Sequence, residues 1–93
     1  MSVLHVDLRT REGAATALLE TFRTRFRPAI AQQPGFRSVT LLMGDEVPHR
    51  LVIVFEQEEQ RLAWVASALH QEVWPQVEAH CESYLPVLFE EVS

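Results

Sequence analysis

An α+β fold of the ferredoxin-like kind, βαββαβ with a four-stranded antiparallel sheet, is what this sequence predicts, on three observations. Apolar residues recur at every second position, then at helical spacing, and the alternation of the two periods gives strand, helix, strand, strand, helix, strand. The segment Gly44-Asp45-Glu46-Val47-Pro48 is too short for a helical crossover, so the strands on either side of it form a hairpin. The run Leu51-Val52-Ile53-Val54-Phe55 has no polar alternation, so both faces of that strand need covering. Helices of the same chain can cover one face. A second copy is the economical cover for the other, and two sheets packed face to face would close a dimeric α/β barrel. The 93 residues form one domain, 1–93, which hides only about 60–65% of its unfolded surface and so gains from dimerising.

Each element has its own signal. In residues 3–9, Leu4, Val6 and Leu8 point one way and Val3, His5 and Asp7 the other, as in a strand with one apolar and one mixed face. Ala15, Leu18, Leu19, Phe22, Phe26, Ala29 and Ile30 then form a helical stripe, with a kink or early end expected near Arg27 because Pro28 lacks an N–H. Gln33-Pro34-Gly35 stops the helix, and residues 36–43 form the second strand. After the third strand the stripe Leu62, Val65, Ala66, Leu69 continues as Val73, Val77 and Cys81. Pro75 interrupts it, so either two short helices or one kinked between Ser67 and Pro75 should result. Residues 84–92 close the chain as a strand that Pro86 confines to a sheet edge, with strands one and three central.

Composition narrows the function. A formal charge of −5, with no basic cluster denser than Arg23, Arg25 and Arg27, argues against nucleic acid as a partner. Those three arginines are expected on a solvated helix face. Cys81 is alone, which leaves no disulfide framework and fits a reducing cytoplasm. No apolar run reaches the roughly 18 residues of a membrane span, and the first residues lack the basic-then-apolar pattern of a secretion signal, so a cytoplasmic protein without a membrane partner is expected. The four histidines show no metal-ligand spacing. No metal is therefore expected, and with no glycine-rich phosphate loop or nucleophile elbow, nucleotide cofactors and esterase chemistry lack a local signature.

The segment from Leu62 to Glu72 carries an aromatic residue, two residues, a small capping residue, two residues and a histidine: Trp64, Ser67, His70. It follows a strand that ends in an acidic residue, and Pro34-Gly35-Phe36-Arg37 opens the second strand. In these features the chain resembles the antibiotic biosynthesis monooxygenase family of dimeric α/β barrels over nearly its whole length. The resemblance implies a homodimer and a cofactor-independent oxygenase acting on a small aromatic substrate, an electron-rich polycyclic phenol, anthrone or quinol that supplies its own electrons to O₂. A non-oxidative polyketide cyclase or isomerase, or a non-catalytic binding or stress protein, are the alternatives on the same fold. The family's understood oxygenases commonly pair an Asn with the helix Trp, and this chain has no Asn. Members often have a Trp at the position of Glu58. Trp74 stands where haem-degrading relatives carry their ligand histidine, which implies a protein without haem.

The candidate catalytic residues are His70, Trp64, His5 and Asp7. His70 could act as a base or as a hydrogen-bond donor, since its ordinary pKa lies near neutrality; otherwise it is a helix-start residue beside Ser67. His5 and Asp7, two apart on one strand, could converge on a ligand, or else form the polar lining of a dimer interface. Trp64 is placed on the flank of the helical stripe, as a cleft wall or a packing aromatic, and Trp74 within the stripe. Trp64, Trp74, Phe22 and Phe55 are the candidate substrate-binding aromatics. His49 and His80 read as surface residues, and the acids at positions 56, 58 and 59 as a solvated turn and helix start.

Overall fold

Alternation in the first strand sets the two faces of the sheet. In the computed structural model, which describes residues 1–92, β1 (Ser2–Thr10) buries Val6 and Leu8 beneath the helices and turns Val3, His5 and Asp7 away. Ser93, the last residue of the predicted 1–93 domain, lies outside the described residues. The hairpin of β2 (Phe36–Leu42) and β3 (His49–Phe55) is antiparallel, and β4 (Cys81–Glu90) pairs antiparallel with β1. The sheet order is β2-β3-β1-β4, with β1 and β3 central and Pro86 on an edge strand, as the ferredoxin-like order predicts.

The first helical run begins as α1 (Ala15–Thr21) and does not stop at Arg27. It widens into a π-helical turn, Phe22–Phe26, closed by a hydrogen bond from the Arg27 N–H to the Phe22 carbonyl, and continues as α2 (Arg27–Ile30). A proline ring crowds the carbonyl four residues before it. The widened turn gives Pro28 room, so the expected kink takes the form of a bulge rather than an end. Leu18, Phe22, Phe26, Ala29 and Ile30 are all buried, and Arg23, Arg25 and Arg27 are exposed.

The second helical run departs further from expectation. It divides at Ser67, whose backbone is extended (φ −73°, ψ 152°), into α3 (Glu58–Ala66) and α4 (Ala68–Glu78). Pro75 sits inside α4 without ending it. The break resets the helical phase, so the single stripe read through both helices fails in α3: Trp64 is buried there, while Leu62 and Ala66 are exposed. In α4 the stripe holds, through Val73 and Val77. Cys81, expected to end that helix, instead starts β4, three residues before the predicted strand.

Gly35 joins α2 to β2 at φ +80°, and a Cβ there would collide with the Gln60 side chain. The adjacent loop is tied across by the Glu56 N–H, which donates to the Gly35 carbonyl at 2.8 Å. The core lies between the helices and one sheet face, with Leu8, Leu51, Ile53 and Phe55 below and Leu18, Phe26, Ile30 and Val77 above. Among the described residues no element covers the other sheet face. It presents Val3, His5 and Asp7 of β1, Val52 and Val54 of β3, Thr40 and Leu42 of β2, and Leu85, Val87 and Phe89 of β4. Leu42, Leu85 and Phe89 are each at least half exposed.

Candidate active site

Spacing explains how Trp64 and His70 meet. Ser67 lies three residues after one and three before the other, at the joint of α3 and α4, and its hydroxyl serves both helices. It donates to the Trp64 carbonyl at 2.7 Å, the open end of α3, and accepts from the His70 N–H at 3.2 Å, the open start of α4. One side chain therefore caps two helix ends and folds them so that the Trp64 and His70 rings stand edge to face, with centroids 5.0 Å apart. The acceptor at the start of α4 is the small capping residue read from the sequence.

Between these helices and the sheet lies a cavity of about 210 Å³. Leu4, Val6 and Ile53 form its floor, and Phe26, Trp64, Trp74 and Tyr84 its walls. The walls form a continuous aromatic chain. Phe26 contacts both tryptophans at about 6 Å, His70 lies nearly parallel to Trp74 at 6.2 Å, and Trp74 meets Tyr84 edge to face at 5.2 Å. Tyr84 and Pro86 come from the edge strand β4, where Tyr84 is 42% exposed. A largely apolar recess with a few convergent polar groups is the usual form of a small-molecule site.

Two of those polar groups are basic. Burial lowers the pKa of His70, favouring the neutral ring. Arg61, one turn before Trp64 on α3, lines the cavity while its guanidinium grips Glu58 through two bonds, at 2.6 and 2.8 Å. That bond holds the Glu58 carboxyl below its ordinary range, and Ser2 donates to the same carboxylate at 2.8 Å. The Arg61 charge is thus partly spent on Glu58, and what reaches the cavity is a fixed, partly screened cation.

The structure brings together Trp64, His70 and Trp74 among the predicted residues. It exchanges the expected positions of the two tryptophans: Trp64 is 2% exposed and belongs to the core as well as the wall, and Trp74 is the partly exposed one. Phe22 and Phe55 are buried in the core and do not line the cavity; Phe26, one turn beyond Phe22, does. His5 and Asp7 lie on the opposite face of the sheet. There His5 packs against Phe89 at 4.9 Å, and Arg50 donates to Asp7 at 2.7 Å and lowers its pKa. His49 accepts from the Gly44 N–H, and His80 is bonded to Thr21, so neither is a free surface group. Sequence reasoning missed Arg61 and Tyr84. The first could have been found from its spacing of three before Trp64, and the second from its alternation with Pro86 along one strand face.

A larger hollow, of about 660 Å³, lies at the sheet end beside Met1, Ser2 and Glu58, with four glutamates among its lining. It lacks any histidine or tryptophan. Among the described residues no three histidine, cysteine or acidic side chains come together as a metal site, and no helix is long and apolar enough to cross a membrane.

Residues 1–75 match the family model described as antibiotic biosynthesis monooxygenase. The chain belongs to the antibiotic biosynthesis monooxygenase family. Several solved structures share the family's fold with it. A candidate antibiotic biosynthesis monooxygenase from Nitrosomonas europaea is 18% identical, with all of both chains covered and a TM-score of 0.84. SnoaB, a cofactor-independent oxygenase from Streptomyces nogalater, is 21% identical over 99% of this chain and 94% of its own, with a TM-score of 0.82. A further candidate of the same description, from Caulobacter crescentus, reaches a TM-score of 0.85 at 9% identity, over 99% of this chain and 90% of that one. No curated protein sequence matches. At the level of the family, these findings support a monooxygenase type of function.

Proposed function

We propose that this protein is a cofactor-independent monooxygenase that oxidises a one- or two-ring hydroquinone and works as a homodimer. The observation that carries the reading is the largely apolar, aromatic cavity under α3 and α4, with His70 and Arg61 as its basic groups. An apolar cavity of about 150 Å³ is enough for benzene. The cavity here, at about 210 Å³, suits one substituted ring or two fused rings and is tight for a three-ring anthrone. An electron-rich ring needs no bound cofactor to reduce O₂. The substrate loses a proton to water, its anion forms a C–O bond with O₂, and the resulting peroxide takes a proton back. Loss of water from the hydroperoxide then leaves a carbonyl. One oxygen ends in the product and the other in water, while the substrate gives up two hydrogens. The chain's part is to exclude bulk water, stack the ring against tryptophan and hold the anionic oxygen with nitrogen donors.

The dimer reading rests on the uncovered sheet face. Monomers rarely expose apolar patches beyond a few hundred Å². Here Leu42, Leu85, Val87 and Phe89 stand 41–60% exposed on one surface, beside Val3, Val52 and Val54. A second copy would cover it, with His5 and the Asp7–Arg50 pair inside the contact.

Oxygen uptake with one- and two-ring hydroquinones tests the function. One O₂ consumed per substrate, with one labelled oxygen from ¹⁸O₂ in the product and no peroxide released, is the expected result. Uptake no faster than in protein-free buffer, or stoichiometric release of hydrogen peroxide, would refute it.

A further inference from the structure

The sequence leaves His70 two roles, base or donor, and the packing of its ring separates them. The Nδ1 atom is enclosed by protein and has no hydrogen-bond partner, while Nε2 is not enclosed and is the nitrogen left to a ligand. A neutral imidazole carries one N–H and one lone pair. A buried N–H without a partner is the rarer and costlier arrangement. The lone pair therefore belongs on Nδ1 and the proton on Nε2. Taking up a second proton would place an N–H at Nδ1, between rings that offer it no acceptor. The charged and titratable groups that line the same cavity work in the same direction. Arg61 of α3 is already a cation, Tyr84 of β4 is a phenol, and no carboxylate lines the cavity to stabilise a charged ring. Besides Tyr84, the sheet contributes only Leu4, Val6, Ile53 and Pro86.

We infer that His70 acts as a neutral hydrogen-bond donor, its Nε2–H holding the anionic oxygen of a deprotonated aromatic ring, and does not remove the proton itself. This rests on the reading of the cavity as the site for a phenolic substrate. Ionisation of the substrate is then left to solvent, and the protein's contribution is to favour the anion once formed, with Arg61 as the nearby cation. A base at this position would have to exchange its tautomer against the packing at each turnover. A donor does not.

Two measurements test it. In uniformly ¹⁵N-labelled protein at neutral pH, with the His70 ring signals identified by their loss in His70→Gln, the proton is expected on Nε2. A proton on Nδ1, or a charged ring, overturns the inference. Para-nitrophenolate, bound at a pH where the probe is an anion and followed by its visible absorbance, supplies the second test. His70→Gln keeps an N–H donor and should bind within a few-fold of the wild type. His70→Phe keeps the ring without a donor and should bind about 10- to 100-fold more weakly, as expected for a hydrogen bond to a charged group. Equal binding by His70→Phe and wild type, or no binding by the wild type, also overturns it. Should the tautomer and the binding order hold while no hydroquinone drives oxygen uptake, the oxygenase reading alone falls.

Discussion

Ser67→Ala removes the joint that sets Trp64 against His70, and its cost follows from the bonds that the hydroxyl makes. The Trp64 carbonyl keeps the Ser67 backbone N–H at 3.0 Å, so losing the hydroxyl's donation leaves it satisfied. The His70 N–H, in the first turn of α4, loses its cap. Removal of an N-cap typically costs about 1 kcal/mol, and the second, redundant bond adds roughly half of that. In a domain of this size a total near 1.5 kcal/mol lowers Tm by roughly 6–12 °C. Ser67→Thr keeps the hydroxyl and should stay close to wild type. Ser67→Asp should fall between them, because its carboxylate can accept from His70 but repels the Trp64 carbonyl at the end of α3. Thermal unfolding followed by far-UV circular dichroism, at one fixed protein concentration, gives the three values, and the near-UV tryptophan band reports the loosened Trp64 ring. An alanine variant as stable as wild type, or a threonine variant as unstable as alanine, would refute the two-ended cap.

Three further outcomes are expected. Gly13 and Gly35 both have positive φ, but a Cβ at Gly13 meets nothing within 4 Å while one at Gly35 collides with Gln60; Gly35→Ala should therefore cost clearly more than the roughly 1–2 kcal/mol of left-handed strain expected for Gly13→Ala, measured by urea unfolding. Phe55→Asp buries a charge at a fully enclosed position and should prevent folding, whereas Val54→Asp, on the uncovered face, should leave a folded chain that sediments as a monomer where the wild type sediments as a dimer. Burial holds the His70 pKa below 6.5, so below that pH the unfolded chain binds more protons than the folded one; stability present above pH 6.5 is lost as pH falls through the folded pKa, and His70→Gln should show a smaller fall in unfolding midpoint over that window.

The fold was legible because it depends on periods of two and 3.6, and these survive without any knowledge of neighbours. Leu4, Val6 and Leu8 were separable from Val3, His5 and Asp7 by alternation alone, and Pro86 located an edge. The site was less so. Trp64 and Trp74 exchanged roles because Ser67 resets the helical phase, and an extended residue between two helices leaves no mark in an apolar stripe. Phe26 replaced Phe22 at the cavity where a π-helical turn changes the helical register, a local response to Pro28 that spacing cannot give. Arg61 and Tyr84 reach the cavity from different elements, and their convergence is a product of the tertiary fold. The family resemblance did bring out Trp64, Ser67 and His70, and the Ser67 hydroxyl joins the other two at the α3–α4 break.

The pairing of β1 with β4 has a consequence for how the molecule is assembled in time. Ser2 lies opposite Glu90, and the Glu91 N–H donates to the Met1 carbonyl at 2.9 Å, so the first strand made waits for the last before the sheet is complete. Until β4 emerges, the nascent chain offers the bare edge of β1 to any other strand, and contacts so far apart in sequence slow folding. The same adjacency makes the two ends easy to join. A circular permutant with a short glycine-serine bridge from Val92 to Met1, opened in the exposed Gly44–Pro48 loop, keeps every strand pair while making β4 and β1 neighbours in the chain. It should fold faster than the natural order, at the expense of the β2–β3 hairpin, which becomes the long-range contact in its place.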